Sequence, residues 1–583
     1  MKSRKILSVA AAVALMTAII PTAATAAASP ATAQIVQITM IKALCPGYTV
    51  VPANKNPANF DQTGGHSAEL DTSYQTVLTN PATDIPGICR RADGWQFQLY
   101  GDPGLSTTVG SPLTTGADGV GSGSVTVTLD PTELALAQTT GAPTGLWIAG
   151  IGQPGVASFG AMRCYNDIHN GDNAENIQGI GTASLHIYCI AYDVLPGATY
   201  HALTPYRVLD SRSSKGGTTF HSHSKQTVLI ATGTSGVPTT ALAVTGNVTV
   251  VGQTAGGFVT VAPSLTSGVE PLTSTLNFPR ADTRANGVTV PLAAGGSLDF
   301  MFWASSAGST ANVLFDVTGY FSADASGATY YTIAPYRVLD TRSSKGGTNF
   351  HSQVKQTVLI ATGTSGVPAT ALAVTGNVTV VGQTAGGFVT VAPSLTSGVQ
   401  PGTSTLNLPT GDVRANNVTV QLAAGGNLDF MYWVGITGPT ADVLFDVTGY
   451  FTNDALGASY HALSPYRVLD SRVSKGGTPF HSHASQTVLT ATSASRLPTT
   501  AVALTGNVTV VGQTAPGFVS VAPSLMSGVE PSTSTINFPY GDVRANGVTV
   551  PLAAGGNLDF MYWVSSTGPT TNVLLDITGY FAP

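Results

Sequence analysis

Charge is scarce in this chain. Asp, Glu, Lys and Arg make up 9% of its 583 residues, against roughly a quarter in an ordinary soluble protein. The net charge is −6, and no basic run follows Lys2-Ser3-Arg4-Lys5. A nucleic-acid partner is therefore not expected, because phosphate binding needs clustered Lys and Arg. Cysteines number four, and none forms a Cys-x-x-Cys pair. This speaks against a zinc-thiolate site. After residue 20 no stretch reaches the ~18 apolar residues of a spanning helix, so membrane insertion is not expected. Neither a Gly-x-Ser-x-Gly elbow nor a His-Glu-x-x-His pair occurs, which removes the two most recognisable hydrolase signatures. Sustained helical periodicity is missing as well.

The polar balance is carried by Thr, Ser, Gly and Asn, a composition that suits extracellular β-proteins. The first residues fit that compartment. Met1 to Lys5 is positive, Ile6 to Ile20 is apolar, and small-residue sites follow at Ala24-Thr25-Ala26 and Ala31-Thr32-Ala33. Residues 1–33 read as a secretory signal peptide, cut between about residues 26 and 33. The expected location is secreted or extracellular, in association with the cell surface. In that compartment Cys45, Cys89, Cys164 and Cys189 read as two disulfides. Three pairings are open to four cysteines. Sequential pairing, Cys45–Cys89 and Cys164–Cys189, closes the shorter loops and is preferred.

From about residue 197 one unit of about 130 residues is written three times, at 197–328, 329–458 and 459–583. A period this long marks whole domains, since solenoid repeats run about 20–50 residues. Each copy opens on an Arg-Val-Leu-Asp-Ser/Thr-Arg motif, beginning at Arg207, Arg337 and Arg467. Each closes on Asp-Val/Ile-Thr-Gly-Tyr-Phe, beginning at Asp316, Asp446 and Asp576. The joints at 322–327 and 452–457 are short and polar, so neighbouring copies are expected to touch.

Within a copy nearly every segment alternates with period two. Val244, Val248 and Val250 share one face, and Thr245, Asn247 and Thr249 the other. Phe300 and Phe302 stand opposite Met301 and Trp303, and Val313, Phe315 and Val317 opposite Leu314, Asp316 and Thr318. Short strands punctuated by Gly and Pro predict a jelly-roll or immunoglobulin-like β-sandwich in each copy. Residues 34–196 read as a separate, disulfide-bearing β-sandwich, with strands near 95–100, 125–129 and 185–190 and one short helix at 131–137. The fold class is all-β.

The opening motif, the Gly-Asn-Val-Thr-Val middle at 246–250 and the Asp-Val-Thr-Gly-Tyr-Phe close together resemble a repeat of secreted proteins from actinobacteria and related Gram-positive-type bacteria. That resemblance covers all three copies and implies an accessory surface or binding role. The run from Phe97 through Asp118-Gly119 to Val127 loosely resembles the transthyretin-like sandwiches of bacterial surface adhesins. Such domains often carry a Lys–Asn or Lys–Asp isopeptide bond, for which Lys42, Glu133 and Asp193 are the nominees. Solvated side chains are the preferred reading of all three.

Several residue sets recur where chemistry is conceivable. Arg207, Asp210, Arg212 and Asp316, with Arg337, Asp340, Arg342, Asp446, Arg467, Asp470, Arg472 and Asp576, are expected to be structural ion-pair networks, since Arg forks suit bidentate carboxylate pairing. His201, His221 and His223 match His461, His481 and His483 in copy three, but copy two has Tyr331, His351 and Gln353. That interruption argues against a metal site in each copy. Asp299 and Asp316 are the carboxylates left for a glycosidase. Trp303, Trp433 and Trp563 are the candidate binding residues, as rings able to stack on a sugar face; packing is the competing reading. No cofactor and no catalytic residue is nominated.

The expected function is a non-enzymatic surface or adhesion protein whose repeats bind cell-wall or extracellular polysaccharide, with avidity from three copies. The alternatives are a spacer or self-assembling coat, suited by exposed Thr and Asn faces that pack laterally, and a secreted cell-wall hydrolase.

Overall fold

A computed structural model describes residues 32–45, 90–91, 94–102, 104–116, 120–129, 146–152, 158–164, 177–180, 186–194, and 197–583 except 325, 455, 493 and 496. The signal-peptide residues before Thr32, Cys89, Glu133 and the expected helix at 131–137 lie outside that set. Among the described residues no helix is long and apolar enough to cross a membrane.

The N-terminal region is built from β1 (Thr32–Cys45), β2 (Arg90–Arg91), β3 (Gln96–Tyr100), β4 (Thr108–Thr114), β5 (Val120–Leu129), β6 (Leu146–Gly152), β7 (Ser158–Cys164), β8 (Ile177–Ile180) and β9 (His186–Val194). One sheet runs β2-β1-β9-β7 with β5 also on β1; the other runs β4-β3-β6-β8. Ile38, Met40, Phe97, Leu99, Ile148 and Met162 are buried in one core cluster.

Copy one holds β10 (Thr199–Asp210), β11 (Phe220–His221), β12 (Lys225–Leu229), β13 (Ala241–Val251), β14 (Gly257–Ala262), β15 (Leu276–Phe278), β16 (Arg284–Pro291), β17 (Ser297–Ala304) and β18 (Thr310–Ser322). The sheets run β10-β18-β13-β16 and β12-β17-β14-β15. First strand pairs with last, β12 with β17, β13 with β16 and β14 with β15, all antiparallel. This is one long hairpin wrapped into two sheets, the jelly-roll order, and it decides against the immunoglobulin alternative. Val244, Val248, Val250, Phe300, Phe302, Phe315 and Val317 fill the core, as their alternation predicts. Copies two and three repeat both sheet orders.

The three copies do not lie as beads on a string. The β15–β16 side of each sandwich packs on the outer face of the neighbour's β13-bearing sheet: copy two on copy one, three on two, and one on three. Three such head-to-tail contacts close a ring with pseudo-threefold symmetry, as rotation-related interfaces can. The Thr245, Asn247 and Thr249 face, expected to be solvent-exposed, is therefore 2%, 8% and 3% exposed. Lateral packing of these faces occurs, but inside one chain.

Candidate functional site

Three layers along the axis hold the ring. At one end, Tyr200 stacks on Phe451 of copy two at 4.3 Å, Tyr330 on Phe581 of copy three at 4.1 Å, and Tyr460 on Phe321 of copy one at 4.2 Å. Backbone pairs Ala198–Tyr460, Tyr200–Ala328 and Tyr330–Ala458 tie the same end. A Cβ on Gly319 would overlap the Tyr200 side chain, as would one on Gly449 the Tyr330 side chain and one on Gly579 that of Tyr460. The glycine of the closing motif thus makes room for this aromatic layer.

The middle layer is asparagine. Asn286 donates to Asn507 Oδ1 at 2.8 Å, Asn416 to Asn247 Oδ1 at 2.9 Å and Asn546 to Asn377 Oδ1 at 2.9 Å. Asn286 Nδ2 also reaches Thr275 O, and its Oδ1 accepts from Gly547 N at 2.6 Å. Asn286, Asn416 and Asn546 are completely buried, and only such full pairing makes a buried amide tolerable.

The far layer is an ion-pair belt. Arg284 Nε holds its own Asp282 at 2.7 Å while Nη2 reaches Asp542 at 2.6 Å. Arg414 reaches Asp282 likewise, and Arg544 reaches Asp412. Burial works to raise the Asp282 pKa, but the hydrogen bonds and charges of Arg414 and Arg284 hold it below the ordinary value. Sequence reasoning missed this belt and the asparagine layer. The available signal was Arg-Ala-Asn, which recurs at 284, 414 and 544 on strands whose apolar pattern alone was read.

The expected ion-pair networks are brought together. Arg207 grips Asp316 with Nε at 2.8 Å and Nη2 at 2.9 Å, and Arg212 grips Asp210 at 2.9 and 2.7 Å. Arg207 Nη1 lies 3.5 Å from Asp210, joining the two pairs. Arg337 and Arg342 repeat these contacts with Asp446 and Asp340, and Arg467 and Arg472 with Asp576 and Asp470. Burial pushes Asp316, Asp446 and Asp576 up despite their arginines. Hydrogen bonds from Arg212, Arg342 and Arg472 hold Asp210, Asp340 and Asp470 down.

Asp299 and Asp316 do not form a glycosidase pair. Asp299 sits on the outer face of the second sheet, bound by Lys225, Thr227 and the Leu265 amide. Asp316 sits on the outer face of the first, toward copy two. The two sheets pack about 10 Å apart and both carboxylates point away from the shared core, beyond the ~5–10 Å such a pair requires.

Trp303, Trp433 and Trp563 are half-buried on the outward sheets, away from the axis. Trp303 stands opposite Phe258 across the β14–β17 ladder. His223 stacks on Trp303 with centroids 3.9 Å apart, and His483 on Trp563 at 3.9 Å. His223 Nε2 lies 2.8 Å from Ala304 O, His483 Nε2 2.6 Å from Val564 O, and Gln353 Nε2 donates to Val434 O at 3.0 Å. His201 stacks instead on Tyr320 and contacts Asp324, while His221 is exposed.

In the N-terminal region Cys164 and Cys189 face each other across the β7–β9 ladder, while Cys45 ends β1. Lys42 corrects the expectation that it is solvated: it is 1% exposed, with Nζ 4.0 Å from the centre of the Trp95 side-chain ring. A cation–π contact of this kind offsets part of the desolvation cost.

No family model matches the chain, and no curated protein matches it. Among solved structures, one from Sulfolobus turreted icosahedral virus is 10% identical over 62% of this chain and 83% of its own, with a TM-score of 0.13. A triple jelly-roll turret protein of an archaeal virus is 9% identical over 67% and 97%, also at 0.13. The cycloalternan-forming enzyme of Listeria monocytogenes is 14% identical over 59% and 27%, at 0.12. Scores this low carry no argument about this chain.

Proposed function

We propose that this is an exported, non-enzymatic surface protein whose three-copy ring presents three equivalent outer sheets to cell-wall or extracellular polysaccharide. The observation that carries the reading is the placement of the tryptophans. Other recurrent groups, the Arg–Asp pairs, the asparagines and the Tyr–Phe layer, are engaged in holding the copies and their ring together. Trp303, Trp433 and Trp563 remain half-open on outward sheets with Phe258, Phe388 and Phe518 beside them. Three weak contacts on one rigid body gain avidity on a polymer. The Cys164–Cys189 register on neighbouring strands supports that half of the preferred disulfide pairing; Cys89, of the other half, lies outside the described residues.

The test is co-sedimentation of the exported chain with isolated bacterial cell walls, chitin and cellulose. Retention that is lost in the Trp303/Trp433/Trp563→Ala variant supports the reading. No retention on any of them removes it.

The second reading is a spacer or coat without a soluble ligand. It is favoured by His223 and His483, which already cover one face of Trp303 and Trp563. Concentration-dependent assembly in sedimentation velocity would select it.

A further inference from the structure

We propose that His223, Gln353 and His483 accept a hydrogen bond from a saccharide hydroxyl at each tryptophan site; this rests on the polysaccharide reading above. A carbonyl oxygen can only accept, so the side-chain nitrogen facing it must carry hydrogen. The contacts to Ala304 O and Val564 O therefore fix both imidazoles as the Nε2–H tautomer. Each is left with Nδ1 as a lone-pair acceptor that makes no hydrogen bond among the described residues, on a half-buried side chain. Gln353 makes the same donation to Val434 O and is left with Oε1. Histidine and glutamine are thus equivalent here: each gives one N–H to the corresponding carbonyl and keeps one acceptor. The interruption of the histidines in copy two, which counts against a metal, is what a hydroxyl-accepting site permits.

The backbone supports a use for these side chains. His223, Gln353 and His483 sit at φ of 70°, 71° and 69°, a left-handed conformation that costs a non-glycine residue about 1–2 kcal/mol. Glycine would avoid that cost, yet all three copies keep a long polar side chain. Ser214, Ser344 and Ser474 hold a similar φ in every copy, so the tryptophan and carbonyl contacts of His223, Gln353 and His483, and not the backbone alone, carry the argument. The residue is also locked in place: His223 N donates to Phe302 O at 3.0 Å and His223 O accepts from Gly268 N at 2.7 Å. The Gly268 loop carries Val269, 58% exposed. Charged groups on the packed elements are Lys225 and Asp299, paired to each other at 2.7 Å, and Glu270 on the loop. Copy three has Ser485 in place of Lys225.

The experiment measures retention of the exported chain on isolated bacterial cell walls. His223→Gln with His483→Gln should bind like the wild type, because Gln353 makes the same donation in copy two. His223→Ala, Gln353→Ala and His483→Ala together should lower retention about fivefold per site, the effect of one lost hydrogen bond. Wild-type retention that is unchanged by the alanines, or lost in the glutamine variant, overturns the proposal and leaves the polysaccharide reading standing. Absence of wild-type retention overturns both. Nitrogen NMR of the free protein gives an independent check: an Nδ1–H tautomer at His223 would also sink it.

Discussion

Asn286 of the first copy donates its side-chain amide to Asn507 of the third, 221 positions along the chain and wholly out of solvent. Its two equivalents join copy two to copy one and copy three to copy two. The ring is therefore specified by polar matching, with an aromatic layer at one end.

Asn286→Ala should cost about 2–4 kcal/mol, because it leaves Asn507 Oδ1, Thr275 O and Gly547 N buried and unpaired. Calorimetry should show a lower Tm. Adding Asn507→Ala should cost clearly less than the sum of the single effects, since the partner is already lost.

A second expectation concerns the axis. A Cβ on Gly287 would overlap Asn417 O, and one on Gly547 would overlap Gly287 O. Copy two alone carries a side chain at this position. Copy one expressed alone should therefore assemble as a homotrimer, and copy two alone should do so only after Asn417→Gly. Sedimentation velocity reads the difference, and equal assembly of both fragments would refute it.

Arg207→Ala should destabilise by about 3–5 kcal/mol, the cost of stranding a buried carboxylate. Asp316 is nearly fully buried. Arg207→Leu combined with Asp316→Leu should be much milder, because no unpaired charge remains. Chemical denaturation of the three proteins checks this.

Acid should unfold the repeats late. Asp210, Asp340, Asp470, Asp282, Asp299 and Asp429 all lie below the ordinary carboxylate value, and Asp454 is down to about 2. Their stabilisation is present above the unfolded pKa of roughly 4 and is lost as pH falls through the folded values. Asp316, Asp446 and Asp576 are raised and act with opposite sign, so protonating them favours the native state. Stability should hold or rise slightly from neutral pH to about 4 and then fall steeply. Denaturant midpoints across that range test the shape; a steady loss beginning near neutral pH would contradict it.

The jelly-roll core was legible because alternation in Val244 to Val250 and Phe300 to Phe302 is a local signal. So were the Arg207–Asp316 and Arg212–Asp210 pairs, since isolated charges in a charge-poor sandwich require partners. Closure was not legible. Thr245, Asn247 and Thr249 carry the same pattern whether they face water or another polar face, and period two cannot tell these apart. Lys42 was misread for the related reason that a lone lysine in a strand gives no local sign of the aromatic residue that will cover it.

The joint before each copy occupies one equivalent place in the ring. A Cβ on Gly197 would meet Ser459 and His461, as one on Gly327 would meet Thr199 and His201. The N-terminal region is thus tethered where a preceding copy would have been joined. Repetition here adds girth and not reach. Copies strung in series would lengthen a stalk and yield to tension one at a time. A closed threefold body stays about as tall as one sandwich, and no copy can leave it without parting two interfaces at once.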